Sequence, residues 1–201
     1  MFPFPIAGPA RRAARALGAV LALALLASCA ALPGPTSGTD GDGFSLTGRF
    51  SVRQGKEGGS GRIQWRHRAA DDELLVTSPI GQGIARITRT PSAGGSVYRL
   101  TTADEREFSA PDAETLTEQA LGWRLPLAGL PDWVRGRPAP GSPAQVERDA
   151  QGRPARLRQD EWLIGYEAWE GGLPSRLLME RGELRIRLLV EAWTDRPGER
   201  P

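Results

Sequence analysis

Few side chains in this 201-residue chain could do chemistry. His67 is the only histidine and Cys29 the only cysteine, so a His/Cys metal cluster cannot be assembled. His67 alternates with Ile63 and Trp65 in RIQWRH, which places it on the same strand face as two apolar residues and gives it a structural role. Asp71, Asp72 and Glu73 are paired carboxylates in sequence, but they stand where AADD marks a hairpin, and solvated turn charges are expected there. No serine sits in a nucleophile-elbow pattern, and GKEGGSG lacks the order of a phosphate-binding loop. Arginines alternating with apolar residues, as in LRIRLL, read as the wet face of a strand and not as a nucleic-acid track. No catalytic residue, metal or cofactor is expected, and no nucleic-acid partner.

Cys29 carries a different chemistry. Arg11, Arg12 and Arg15 precede an apolar run from Ala16 to Ala27, too short for the roughly 20 residues that span a bilayer and suited to an export signal. Leu26-Ala27-Ser28-Cys29 then has the aliphatic, small, small, cysteine order of a bacterial lipobox. The expected maturation is acylation of the Cys29 sulfur, cleavage before it, and acylation of the new amino group, since two or more chains anchor firmly where one does not. Ala30 stands where an aspartate favours inner-membrane retention, so the outer membrane is the expected destination. Removing residues 1–28 takes away three arginines and no acid, leaving 23 basic against 24 acidic residues. The mature net charge of about −1 argues against a nucleic-acid binder. Residues 29–43 are expected to form the lipidated start and a flexible Gly/Pro/Ser-rich tether spanning on the order of 20 Å, 44–195 a folded domain, and 196–201 a disordered tail.

The elements of that domain follow from periodicity. Alternation of period two runs through FSLTGRFSV, RIQWRH, ELLVTS, IARIT, VYRLTT, ARLRQ, WLIGYEAW, SRLLME and LRIRLLVEAW. The separators RQGKEGGSG, AADD, TPSAGGS, DAQG, WEGGLP and ERGE are too short for parallel crossovers, so the strands form an antiparallel meander. In the middle, DAETLTEQALG has the acidic start, the spacing of Ala113, Leu116 and Ala120, and the terminal glycine of a helix. LPLAGLPDWVRG repeats the idea with Leu127, Leu130 and Val134 on one face, Trp133 beside them, and Pro131 tolerable in a first turn. The fold class is mainly β (α+β): an unclosed antiparallel β-barrel wrapped over a short helical lid, with an apolar volume between. The inward-facing candidates are Phe44, Leu46, Phe50, Val52, Ile63, Trp65, Leu74, Val76, Trp162, Ile164, Tyr166, Leu184, Ile186 and Leu188. Periodicity leaves open whether these fill a core or line a ligand cavity.

One turn does not fit a soluble surface. VTSPIGQGIA places Ile80 between Pro79 and Gly81, at a tip whose residues are normally polar. A hairpin tip folded back on the core would account for it, and so would a contact surface.

Taken together, the lipobox, GRFSV, the strand ending in IQW, LLVTSPIGQ, the DAETLTEQALGWRLPLAGLPDWVRGRP block, WLIGYEAW and a last strand ending in Trp193 resemble the LolB family along essentially the whole chain. These are outer-membrane lipoprotein localisation (insertion) factors of Gram-negative bacteria. The resemblance implies an unclosed barrel covered by helices, with an apolar cavity that receives lipoprotein acyl chains from a LolA-like periplasmic carrier and places them in the inner leaflet of the outer membrane. It implies a lipid-anchored protein facing the periplasm, a monomer, no nucleotide, and no enzymatic step. It assigns the protruding aliphatic between Pro79 and Gly81 to handing cargo to the membrane. The segment before Phe44 is short and glycine-rich where some relatives carry a helix. A scaffold lipoprotein with a filled core, or an enzyme acting on lipid or glycan with a buried carboxylate or serine pair, are the alternatives from other classes.

Overall fold

The computed structural model describes residues 43–68, 71–93 and 95–195. The expected signal peptide, Cys29, the tether, the C-terminal tail and any helix before residue 43 lie outside the described residues.

Among the described residues, eleven strands build a single antiparallel sheet. The first six are β1 (Phe44–Gln54), β2 (Glu57–Arg68), β3 (Asp71–Thr77), β4 (Gly83–Ser92), β5 (Gly95–Thr102) and β6 (Glu107–Ala110). Two helices follow, α1 (Ala113–Leu121) and α2 (Leu130–Trp133). The last five strands are β7 (Ala144–Arg148), β8 (Pro154–Gln159), β9 (Trp162–Glu170), β10 (Leu173–Arg181) and β11 (Leu184–Asp195). The order across the sheet is β6-β5-β4-β3-β2-β1-β11-β10-β9-β8-β7. The first six strands therefore march outward from β1 to one edge. The chain then crosses through the helices to the other edge and marches back until β11 closes on β1. Among the described residues β6 and β7 are each paired on one side only, so the barrel is open, and the crossing segment is what covers its inner face.

Each local choice has a chemical reason. Asp112 caps α1 by accepting from the Thr115 amide at 2.8 Å, and Gly122 ends it in the left-handed region at φ 79°. Pro131 sits in the first turn of α2, where its missing N–H costs nothing. α2 is only one turn long, shorter than the stretch expected from LPLAGLPDWVRG, yet Leu127, Leu130, Trp133 and Val134 all face the interior as that spacing requires. β2 begins at Glu57, inside the glycine-rich segment expected to be a separator, and the β1–β2 turn shrinks to Gly55-Lys56. One of those strand glycines is required by packing: a Cβ on Gly61 would run into the Thr77 carbonyl of β3. The two edge strands, β6 and β7, interrupt stretches in which no strand pattern is visible. Register shifts between β1 and β11, and between β9 and β10, mark irregularities that add bend to the sheet.

Inward residues of the sheet and the apolar residues of the crossing segment form one cluster, including Leu74, Ile87, Leu100 and Ile164 from strands and Leu116, Leu130, Trp133 and Val134 from the lid. Each fully buried aliphatic contributes about 1.5–3 kcal/mol relative to exposure. The helices are thus held on the sheet chiefly by apolar area.

Candidate functional site

Thirteen of the fourteen inward candidates are buried: Phe44, Leu46, Val52, Ile63, Trp65, Leu74, Val76, Trp162, Ile164, Tyr166, Leu184, Ile186 and Leu188. Phe50 is partly buried and lies 6.3 Å, ring to ring, from Trp123, in the stretch linking α1 and α2. Phe50 and Trp123, with Leu121 and Ala120, form a half-covered apolar margin where lid meets sheet. Inside, the side chains of sheet and lid pack on one another.

A few polar contacts fasten the lid, and they are discrete. Trp133 donates its indole N–H to Gln159 Oε1 at 2.9 Å, and the same oxygen accepts from the Ala139 amide at 2.8 Å. Gln159 returns its own N–H groups to the Ala139 and Ser142 carbonyls. Tyr166 donates its hydroxyl to the Trp133 carbonyl at 3.0 Å, and burial pushes its phenol pKa well up, so it stays a donor. On α1, Glu114 takes both guanidinium nitrogens of Arg181 from β10 at 3.0 Å. Arg181 also lies 4.7 Å over the Trp162 ring. Trp162 itself keeps a buried indole N–H with no hydrogen-bond partner among the described residues, a cost the interior tolerates.

The turn between β3 and β4 is built as a pedestal. Gly81 N–H donates to the Ser78 carbonyl at 2.9 Å, closing a β-turn with Pro79 at its second position. The Ser78 amide donates to the Gln82 carbonyl at 2.7 Å, and Ser78 Oγ accepts from the Gln82 amide at 3.1 Å. Gly81 has φ 87°, which an L side chain rarely adopts, although a Cβ there would meet nothing. Every backbone link is local, so the turn keeps its shape without core contacts. Ile80 is left 82% exposed, which rules out a tip folded back on the core.

At the opposite end of β3 sequence reasoning misjudged a residue. Asp72 is not a solvated turn charge: it is 7% exposed and opposite His67 in the β2–β3 register. Its Oδ1 lies 2.7 Å from His67 Nδ1 and accepts from Trp65 Nε1 at 2.9 Å, while Oδ2 accepts from Arg89 Nε at 2.6 Å. Burial alone would raise this carboxyl, but the His67 hydrogen bond and charge, Arg89 and the Trp65 donor outweigh it and hold it below the ordinary 3.8. The signal was present: counting back by twos from Leu74 puts Asp72 on the inward face. His67 is structural, as its strand position suggested. Among the described residues no group of His, Cys, Asp and Glu could hold a metal ion.

The family description "Outer membrane lipoprotein LolB" matches residues 42–193. The chain belongs to the LolB family. Outer-membrane lipoprotein LolB of Thiobacillus denitrificans is 40% identical over 169 residues, covering 84% of this chain and 87% of that protein. The protein of the same name from Cupriavidus pinatubonensis is 43% identical over 164 residues, covering 80% and 77%. In fold, a DUF1329 family protein from Desulfovibrio piger matches with a TM-score of 0.50 at 8% identity, covering 81% of this chain and 88% of that one. For a LolB-family chain, the two features that stand out are the lid-covered apolar interior and the Ile80 turn. No helix among the described residues is long and apolar enough to cross a membrane.

Proposed function

We propose that this LolB-family lipoprotein accepts lipoproteins from a LolA-like periplasmic carrier, shelters their acyl chains between sheet and lid, and inserts them into the outer membrane. Membership of the family supports this reading, and the lid-covered apolar interior gives it a physical route. Exposing a sixteen-carbon chain to water costs on the order of 10 kcal/mol at about 0.8 kcal/mol per methylene, so cargo must pass from one apolar surface to the next. The interior offers such a surface once the crossing segment lifts. The half-covered margin of Phe50, Trp123 and Leu121 is the place where lifting begins, because less apolar area is lost there than at Trp133 or Leu116. The inward residues from Phe44 to Val76 and from Trp162 to Leu188 then become the acyl-contacting wall. Binding and handover, not bond chemistry, complete the cycle, and the chain works as a monomer.

The observation that carries the release step is Ile80 standing 82% exposed on a self-supporting turn. One aliphatic entering a bilayer contributes about 1.5–3 kcal/mol, too little to anchor a protein and enough to orient one already tethered through Cys29. Incubating the chain with a carrier that holds a labelled lipoprotein, in the presence of vesicles, tests the reading. Label should move from the carrier to the chain and on to the vesicles; label that stays with the carrier overturns the proposal.

A further inference from the structure

The outer face of the sheet carries an arginine cluster that the carboxylates of the sheet pair only in part. β1, β2 and β11 lie side by side at the sheet's centre. On the face away from the interior, their register sets Arg53 directly opposite Arg185, and Arg49 directly opposite Arg62. Like charges in that relation destabilise a sheet. Arg49 is relieved by Glu191 at 2.6 Å and Arg185 by Glu180 at 2.7 Å, whereas Arg187 is 3.9 Å from Glu167. Arg53 and Arg62 have no carboxylate partner among the described residues. Arg53, Lys56, Arg185 and Arg187 line a groove of about 610 Å³ in which Glu57 is the one carboxylate. The mature chain has no basic surplus to spread over its surface, so this concentration is local.

Its position is the second observation. Arg62 pairs across the sheet with Thr77, the last residue before the Ile80 turn, and the β1–β2 turn at Gly55-Lys56 lies at that same end of the strands. The other turns at this end are acidic: Glu183 between β10 and β11, whose carboxylate lies beside Gly55, Asp104 and Glu105 between β5 and β6, and Asp160 and Glu161 between β8 and β9. The cationic charge beside the Ile80 turn therefore comes from the strand faces, from Arg53, Arg62 and Arg185, and not from the turns.

We infer that this arginine shoulder is a binding surface for the phosphate groups of an anionic phospholipid bilayer, seating the rim as Ile80 enters the acyl layer. The inference rests on Ile80 being the residue that meets the membrane. Guanidinium groups suit phosphate because their planar fork matches its oxygens, and their charge attracts an anionic surface within a Debye length. An acidic face of a carrier protein would offer charge too, but it would not explain the continuity of the cluster with the turn that carries Ile80.

The test uses the intact anchored chain in vesicles of phosphatidylcholine with or without phosphatidylglycerol. Ser60→Cys on the shoulder carries a fluorophore, and a headgroup spin-labelled lipid is the quencher. Quenching should rise several-fold with phosphatidylglycerol, and return to the phosphatidylcholine level in high salt or in the triple variant Arg53→Gln, Arg62→Gln, Arg185→Gln. Unchanged melting of that variant shows that it folds. Quenching that ignores phosphatidylglycerol, or that survives the triple change, overturns the inference. So does a variant that loses uptake from the carrier while its quenching persists, since the shoulder would then serve the carrier. Cargo transfer by the parent is read in the same vesicles: its failure removes the underlying account of function, whereas normal transfer with indifferent quenching removes the shoulder alone.

Discussion

The two ends of β3 invert the usual placement of polar and apolar groups. At one end Asp72 is buried with three side-chain partners; at the other Ile80 stands in solvent with none. The carboxylate is where charge is most expensive, and the fold supplies everything it needs. The aliphatic is where water is most available, and nothing in the fold satisfies it. The contrast separates two kinds of residue at the two ends of a seven-residue strand: one whose partners are inside the molecule and so reports on stability, and one that has no partner in the fold and that we propose meets the membrane.

The sharpest way to break this contrast is at Asp72. Asp72→Asn leaves Arg89 without its counter-charge and weakens the hydrogen bonds to His67 and Trp65, and should cost about 3 kcal/mol in urea unfolding, the scale of a disrupted buried ion pair. The pH dependence follows from the same group. Its carboxyl is held below 3.8 in the folded chain, so its stabilisation is complete above that value and is lost as pH falls through the lower folded one. The parent should weaken from about pH 4 downward, and Asp72→Asn should flatten that part of the acid limb. If the variant is as stable as the parent and equally acid-sensitive, Asp72 is not the organising charge of this end.

A smaller effect is expected where the lid is fastened. Gln159→Leu strands the Trp133 indole N–H and both backbone groups of Ala139, which should cost about 2 kcal/mol and speed hydrogen exchange in residues 125–140 ahead of the strands. Uniform acceleration across sheet and lid would mean that the crossing segment does not open by itself. A smaller effect again is expected at Trp162. Removing its unpartnered N–H by Trp162→Phe should shift stability by no more than about 1 kcal/mol in either direction, because the lost ring volume offsets the relieved donor. A loss of several kcal/mol would show that the ring's packing against Trp133 and Arg181 outweighs the relieved donor.

Much of this was legible in the chain itself, for reasons that differ by element. α1 could be read to its caps because Asp112 and Gly122 do their work locally. The inward set could be read because parity along a strand survives any curvature of the sheet. β6 and β7 could not, since an edge strand of four or five residues has one neighbour and needs no clean alternation. The start of β2 was hidden by glycines whose reason, the Thr77 carbonyl pressing on Gly61, is a long-range contact. Asp72 was misjudged because its residue type outweighed its parity. Ile80 was conspicuous in the sequence for the opposite reason: its type conflicts with a turn whose local chemistry is otherwise complete.

The central claim is that Ile80 serves the membrane and not the fold, and one variant tests it most directly. Ile80→Glu should melt within about 0.5 kcal/mol of the parent, as substitutions at exposed sites do. It should take labelled lipoprotein from the carrier at nearly the parent's rate and then fail to release it into vesicles. Release at the parent's rate, or a loss of several kcal/mol of stability, would contradict the account.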